Sequence, residues 1–152
     1  MNKKKIISLV ILVLWIGFIY GNSLLTGAES GKLSGGITEM ISNILSRIGI
    51  NITIENLHLI IRKGAHFSEY FILGIIVLLN YIQYMKELRY FMPFSFISCL
   101  LISIIDETIQ TFIDGRAGSI VDVCIDTAGF TLSIIIVTII ILNHKKKKEQ
   151  EA

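Results

Sequence analysis

The chain has 152 residues, 53% of them hydrophobic and only 17% charged, with one proline and a formal net charge of +2. That is one domain's worth of material, with too many long uncharged apolar runs for a soluble core, so the composition points to an integral membrane protein. Cys99 and Cys124 both sit in apolar runs, which argues against a disulfide framework or cysteine zinc site; CxxC, HExxH, P-loop and GxGxxG patterns are absent. Basic residues flank apolar segments without interleaved aromatics, so no nucleic-acid partner is expected.

In chain order, Lys3, Lys4 and Lys5 precede an apolar run from Ile6. A basic start and an apolar run resemble a signal peptide. Leu24 and Leu25 extend the run towards the ~20 residues a spanning helix requires, so a retained first helix over about 6–25 is favoured, with Asn22 and Ser23 as a polar tip. Between Thr26 and Asn56, Gly27, Gly31, Gly35 and Gly36 with Ser30 and Ser34 predict a loop at first. Ile37, Ile41, Ile44, Leu45 and Ile48 then follow helical spacing, so an amphipathic segment over about 30–50 is expected on the membrane surface or capping the bundle.

The second span is predicted over about 57–84, with RKGAHFSEY (Arg62–Tyr70) in its first half. Lys63, His66 and Tyr70 share a face there, with Arg62 and Glu69 beside them. The third span, about 91–112, is polar only at its end, where Ser103, Asp106, Glu107 and Gln110 can share one face. After the turn signal Asp114-Gly115-Arg116 comes the fourth span, about 119–142. It is polar only at its start, where Ser119, Asp122 and Asp126 align, and a lysine-rich tail over 143–152 follows it. Gly74 and Gly129 are expected at close helix–helix approaches.

With four spans, the N-terminal lysines, the Lys86/Arg89 loop and Lys145–Lys148 fall on one side, which the positive-inside rule makes cytoplasmic. The expected fold is therefore an all-α, four-transmembrane-helix bundle with both termini inside and an amphipathic extracellular segment between the first two helices. Three polar helix ends then meet near the outer leaflet. Aspartate in mid-membrane costs ~2.5–3.5 kcal/mol on insertion scales and marks a functional-site hypothesis.

Arg62, Lys63 and Arg116 face Glu69, Asp106, Glu107, Asp122 and Asp126 in this predicted cluster, with His66 of undecided charge. The excess of acids can be met by a bound cation, by shared protons or by acids that turn outward. Carboxylates suit Mg²⁺ or Ca²⁺, and a histidine with three acids suits a transition metal, but neither set has a diagnostic spacing. In an enzyme, His66, Asp106, Glu107 and Asp122 are the candidate catalytic groups. Arg62, Lys63, Glu69, Tyr70, Gln110, Arg116, Ser119 and Asp126 are the candidate ligand-binding groups. The hydroxyls in range are those of Ser68, Tyr70, Ser103, Thr108, Thr111 and Ser119, none in a recognisable activating context. Simple alternatives are snorkelling by Arg62 and Lys63, interhelical hydrogen bonding by His66 and Gln110, and turn capping by Arg116.

RKGAHFSEY, DETIQTFIDGRAGS and DVCIDTAG resemble the VanZ-like family, membrane proteins named for a teicoplanin-resistance protein of Gram-positive bacteria. The matching positions are Lys63, His66, Tyr70, Asp106, Glu107, Gln110, Phe112, Gly115, Arg116, Asp122, Asp126 and Gly129. Two departures stand out. Ile113-Asp114 occupies a stretch where the family commonly has proline, and Asp126 stands where asparagine is frequent, which makes this site more acidic. The resemblance implies a place in the bacterial plasma membrane and reduced sensitivity to lipoglycopeptides such as teicoplanin, through a site engaging an antibiotic, a lipid-linked peptidoglycan precursor or a partner. It supplies no mechanism, so a membrane-embedded hydrolase or transferase acting on such a lipid, metal-dependent or not, stands as the alternative. A cation or proton pathway is weaker, because the opposite halves of all four spans are apolar.

Overall fold

The computed structural model describes residues 3–85 and 87–151, which leaves Lys86 of the expected basic loop outside the described residues. Five helices follow in order: α1 Lys3–Ser23, α2 Gly27–Arg47, α3 Ile54–Ile82, α4 Leu88–Gln110 and α5 Ile120–Gln150. Four of them, α1, α3, α4 and α5, are long and apolar enough to cross a membrane. Their extents agree with the predicted spans to within a few residues, except that α5 runs on through the lysine-rich tail.

Within a lipid environment, apolar contacts between helices gain no hydrophobic free energy, so association depends on close packing and interhelical hydrogen bonds. The α3–α5 seam shows the first. A Cβ at Gly129 would lie 2.5 Å from the Phe67 carbonyl oxygen, and one at Gly74 would overlap the Ser133 hydroxyl. Both glycines therefore mark close approaches, as their sequence context led us to expect. Around this seam Tyr70, Leu73, Val77, Leu78, Phe130 and Ile134 form the buried core, joined by Ile19 of α1 and Phe91 and Cys99 of α4. Hydrogen bonds supply the second: Asn80 donates to the Ser8 carbonyl at 3.1 Å, and the Tyr81 and Ser98 hydroxyls meet at 2.8 Å.

The glycine-rich stretch after α1 is helical, not the loop expected from Gly27, Gly31, Gly35 and Gly36. Each glycine costs up to ~1 kcal/mol in a helix, and one local device and two tertiary ones offset that cost. Thr26 and Glu29 form a capping box, with the Thr26 side chain accepting from the Glu29 N–H and Glu29 accepting from the Thr26 N–H. The Gly27 N–H, which a helix start leaves unsatisfied, donates to the Asp114 carbonyl at 3.0 Å. Ser34 bonds the His58 ring at 2.7 Å, which fixes α2 to α3. Tertiary attachment thus overrides local propensity. The apolar stripe of α2, Leu33, Ile37, Met40, Ile44 and Ile48, stays exposed.

Candidate functional site

The C-terminal end of α1, the first half of α3, the end of α4 and the start of α5 lie at one end of the bundle, and α2 packs against α3 beside them. At that end, Ser23, His66, Asp106, Glu107, Gln110, Asp122 and Asp126 are buried. The helical periods explain the grouping: the i, i+1, i+4 set of α4 and the i, i+4 pair Asp122/Asp126 of α5 both turn towards α3.

The deepest part centres on His66. Its Nδ1 lies 3.3 Å from Asp126 Oδ1 and 3.9 Å from Glu107 Oε1. One ligand-type atom from each of His66, Asp106, Glu107 and Asp126 falls within 4.8 Å of all the others. The carboxylates are oriented from behind by neutral donors. Ser23 of α1 donates to Asp106 Oδ1, and Ser103 donates to Asp126 Oδ2 at 2.7 Å. The Ser119 backbone N–H donates to Glu107 Oε2 at 2.7 Å. The Gln110 amide reaches Ser23, Asp106 and Glu107, each at 3.3 Å. Among the described residues, no lysine or arginine forms an ion pair with Asp106, Glu107 or Asp126. Buried negative charge is costly unless paired, so this cluster is short of positive charge.

The other predicted residues divide into separate groups. Asp122 leaves the cluster and pairs with Lys63 at 3.0 Å. Tyr70 is fully buried below, and its hydroxyl has no hydrogen-bond partner. Ser119 contributes its backbone N–H; its side chain makes no cap hydrogen bond on α5. Arg62 donates to Gln110 Oε1 at 3.3 Å, and Glu69 accepts from Asn22 at 3.0 Å.

Arg62, His66, Glu69 and Arg116 line a cavity of about 220 Å³ to which α2 also contributes Ser30, Leu33, Ser34 and Ile37. Leu25, Leu33, Ile37 and Ile61 supply its apolar side. Burial, and then the neighbouring Arg62 charge, hold the Arg116 guanidinium below its usual pKa, though an arginine stays cationic in proteins. Two like charges therefore face one partly dry space. Gly115 sets the turn that carries Arg116: its φ of +72° favours glycine, and a Cβ on Gly27 would overlap the Gly115 carbonyl.

Sequence reasoning found the three charged helix ends but not the share of α1. Ser23 holds Asp106, Asn22 holds Glu69, and the Trp15 indole donates to the Glu69 carbonyl at 3.1 Å. The available signal was the polar Asn22-Ser23 tip on an otherwise apolar run. His58, which anchors α2 through Ser34, carried no signal beyond its own isolated occurrence.

The family model described as VanZ/LLP1 matches residues 8–142. The chain belongs to the VanZ family. The match spans α1 through nearly all of the apolar part of α5, so the cavity and the buried cluster both lie inside the VanZ region. No curated protein and no solved structure matches the chain. The VanZ assignment and the four apolar helices together describe a multi-pass membrane protein.

Proposed function

We propose that this VanZ-family protein lies in the bacterial plasma membrane with both termini in the cytoplasm, and that its cavity binds the phosphate-bearing headgroup of a lipid-linked peptidoglycan precursor. Such binding would reduce the access of lipoglycopeptides such as teicoplanin to their target. The observation that carries this reading is that Arg62 and Arg116 line one cavity together with apolar side chains of α2. Two guanidiniums suit a diphosphate, since each can give bidentate charge-assisted hydrogen bonds. Leu33 and Ile37 suit the first carbons of a lipid tail. Lysine placement supports an outward-facing cavity, because Lys3–Lys5 and Lys145–Lys148 lie at the opposite end of the bundle.

The test is binding of a fluorescent polyprenyl diphosphate to the detergent-purified protein, with teicoplanin sensitivity measured in a host strain expressing it. Charge-assisted hydrogen bonds contribute ~1.5–3 kcal/mol each, so Arg62→Ala with Arg116→Ala is expected to weaken binding by at least about tenfold and to restore sensitivity. Undiminished binding by the double variant would refute the headgroup reading.

A hydrolase or transferase acting on the same lipid is the second reading, favoured by His66, which lines the cavity while its Nδ1 faces two carboxylates. That arrangement suits general acid–base chemistry. Release of inorganic phosphate from the polyprenyl diphosphate, lost in His66→Gln, would support it; no turnover by the wild-type protein would leave binding alone.

A further inference from the structure

The buried acids behind the cavity have a feature that headgroup binding does not use. Asp126 is fully buried, yet its Oδ1 has no hydrogen-bond partner, and neither does His66 Nδ1. The two atoms face each other at 3.3 Å, an ion pair once the imidazole is protonated. Buried polar atoms are nearly always hydrogen-bonded, and here two that are not lie close to ligand-type atoms of Asp106 and Glu107.

We propose that His66, Asp106, Glu107 and Asp126 form a binding site for a divalent transition-metal ion such as Mn²⁺ or Zn²⁺, linking α3, α4 and α5. The first argument is spacing. The four ligand-type atoms lie within 4.8 Å of one another, and modest side-chain rotation closes that spread around an ion with bonds of about 2.0–2.2 Å. The second is charge. Three carboxylates in a buried place have no lysine or arginine ion partner among the described residues, and a dication offsets most of that charge. The third is the supporting layer. Metal-bound carboxylates are themselves held by hydrogen bonds. Here Ser23 holds Asp106, Ser103 holds Asp126 and the Ser119 N–H holds Glu107, leaving Asp126 Oδ1 uncommitted towards the centre. The donor set decides the class of ion. One imidazole with three carboxylates suits Mn²⁺, Fe²⁺ or Zn²⁺ better than Ca²⁺, which takes an all-oxygen set. Metal binding here does not require an anionic ligand in the cavity.

The test uses full-length protein in detergent, stripped with chelator and titrated with Mn²⁺ or Zn²⁺ by calorimetry and electron paramagnetic resonance. The expected result is one saturable site per chain and a metal-dependent rise in melting temperature. Loss of an outer partner alone costs about 10–100-fold in metal affinity, so Asp126→Asn and His66→Gln are each expected to lose at least that much. Glu39→Gln, which removes an exposed acid on α2, should bind as the wild type does. Should Asp126→Asn not fold, His66→Gln carries the same comparison, and the Mn²⁺ resonance of the wild type reports nitrogen ligation directly. Absence of a saturable site in the folded wild type, or binding unchanged in a folded His66→Gln, would overturn the proposal and leave protons as what neutralises the cluster. Polyprenyl diphosphate binding without metal binding would sink this inference while leaving the cavity reading intact.

Discussion

At the residue scale, the polar groups of the bundle fall into two kinds that are indistinguishable by residue type. Lys63 pairs with Asp122 where the lysine side chain is 43% exposed, and such half-solvated pairs contribute ~0–1 kcal/mol. Ser103 and Asp126 are both fully buried, and their bond at 2.7 Å is the only hydrogen bond to the Asp126 side chain among the described residues. Removing one partner of a buried bond leaves the other unsatisfied, at a cost of about 1–3 kcal/mol. Thermal unfolding in detergent should therefore show Ser103→Ala clearly destabilised and Lys63→Met close to wild type. Equal losses in the two variants would mean that the Ser103–Asp126 bond holds nothing together. The two carboxylates of α5 also divide by role, with Asp122 turned to the half-exposed lysine and Asp126 to the buried histidine. Asp106→Asn keeps the side-chain volume but removes charge from the cluster, so it should abolish any effect on teicoplanin sensitivity while membrane levels stay normal. Full activity of an Asp106→Asn/Asp122→Asn protein would remove these acids from the working site.

At the element scale, α2 is the part whose conformation depends most on its ends. Its capping box is solvent-exposed, and losing such a cap costs ~1 kcal/mol. Thr26→Ala should fray the first turn of α2, detected as faster hydrogen exchange from Gly27 to Gly31 with little change in α3–α5. Hydrogen bonds from Thr26 hold the Glu29 carboxyl below its usual pKa. A lowered acid pKa contributes stability that is fully present above the unfolded value and lost as pH falls through the folded one. The α2 cap is therefore expected to open on acidification below the ordinary carboxylate range. The α3–α5 seam behaves differently. A side chain at Gly129 would have to displace the backbone at Phe67, and overpacking of this kind costs typically ~1–3 kcal/mol. Gly129→Val should lower the melting temperature of the whole bundle, and an unchanged value would mean that the helices separate at no cost.

At the scale of the whole molecule, the chain gathers its buried acids at one end of an apolar bundle and its two lysine clusters, Lys3–Lys5 and Lys145–Lys148, at the other. An orientation with the lysine end in the cytoplasm predicts that a cysteine at Glu39 reacts with a membrane-impermeant maleimide from outside intact cells, and one at Glu149 only after lysis. The reverse pattern would invert the site to the cytoplasmic leaflet and exclude direct contact with an external glycopeptide. Four spans, their order and the polar ends of three of them were legible in the sequence, because a spanning helix needs ~20 apolar residues and a buried charge in such a run stands out. Gly74 and Gly129 were legible as close approaches, but the signal is not selective, since Gly17, Gly21 and Gly64 in the same kind of helix would meet nothing within 4 Å. The start of α2 was legible only in part: Thr26 and Glu29 stand at capping-box spacing, but the bond from the Gly27 N–H to the Asp114 carbonyl joins residues far apart in sequence. The assignment of the acids was not legible either. Helical periodicity fixes which face a side chain occupies, so Asp106 and Glu107 on one helix and Asp122 and Asp126 on the next were recognisable as sharing faces. Which neighbour each one meets depends on the rotation and depth of α3 against α4 and α5, set by packing between residues distant in sequence. The sequence by itself determined the class of protein, the family and the set of polar residues. Only the tertiary structure decided that Asp122 belongs to Lys63, that Asp126 belongs to His66, and that Arg62 and Arg116 share one cavity under α2.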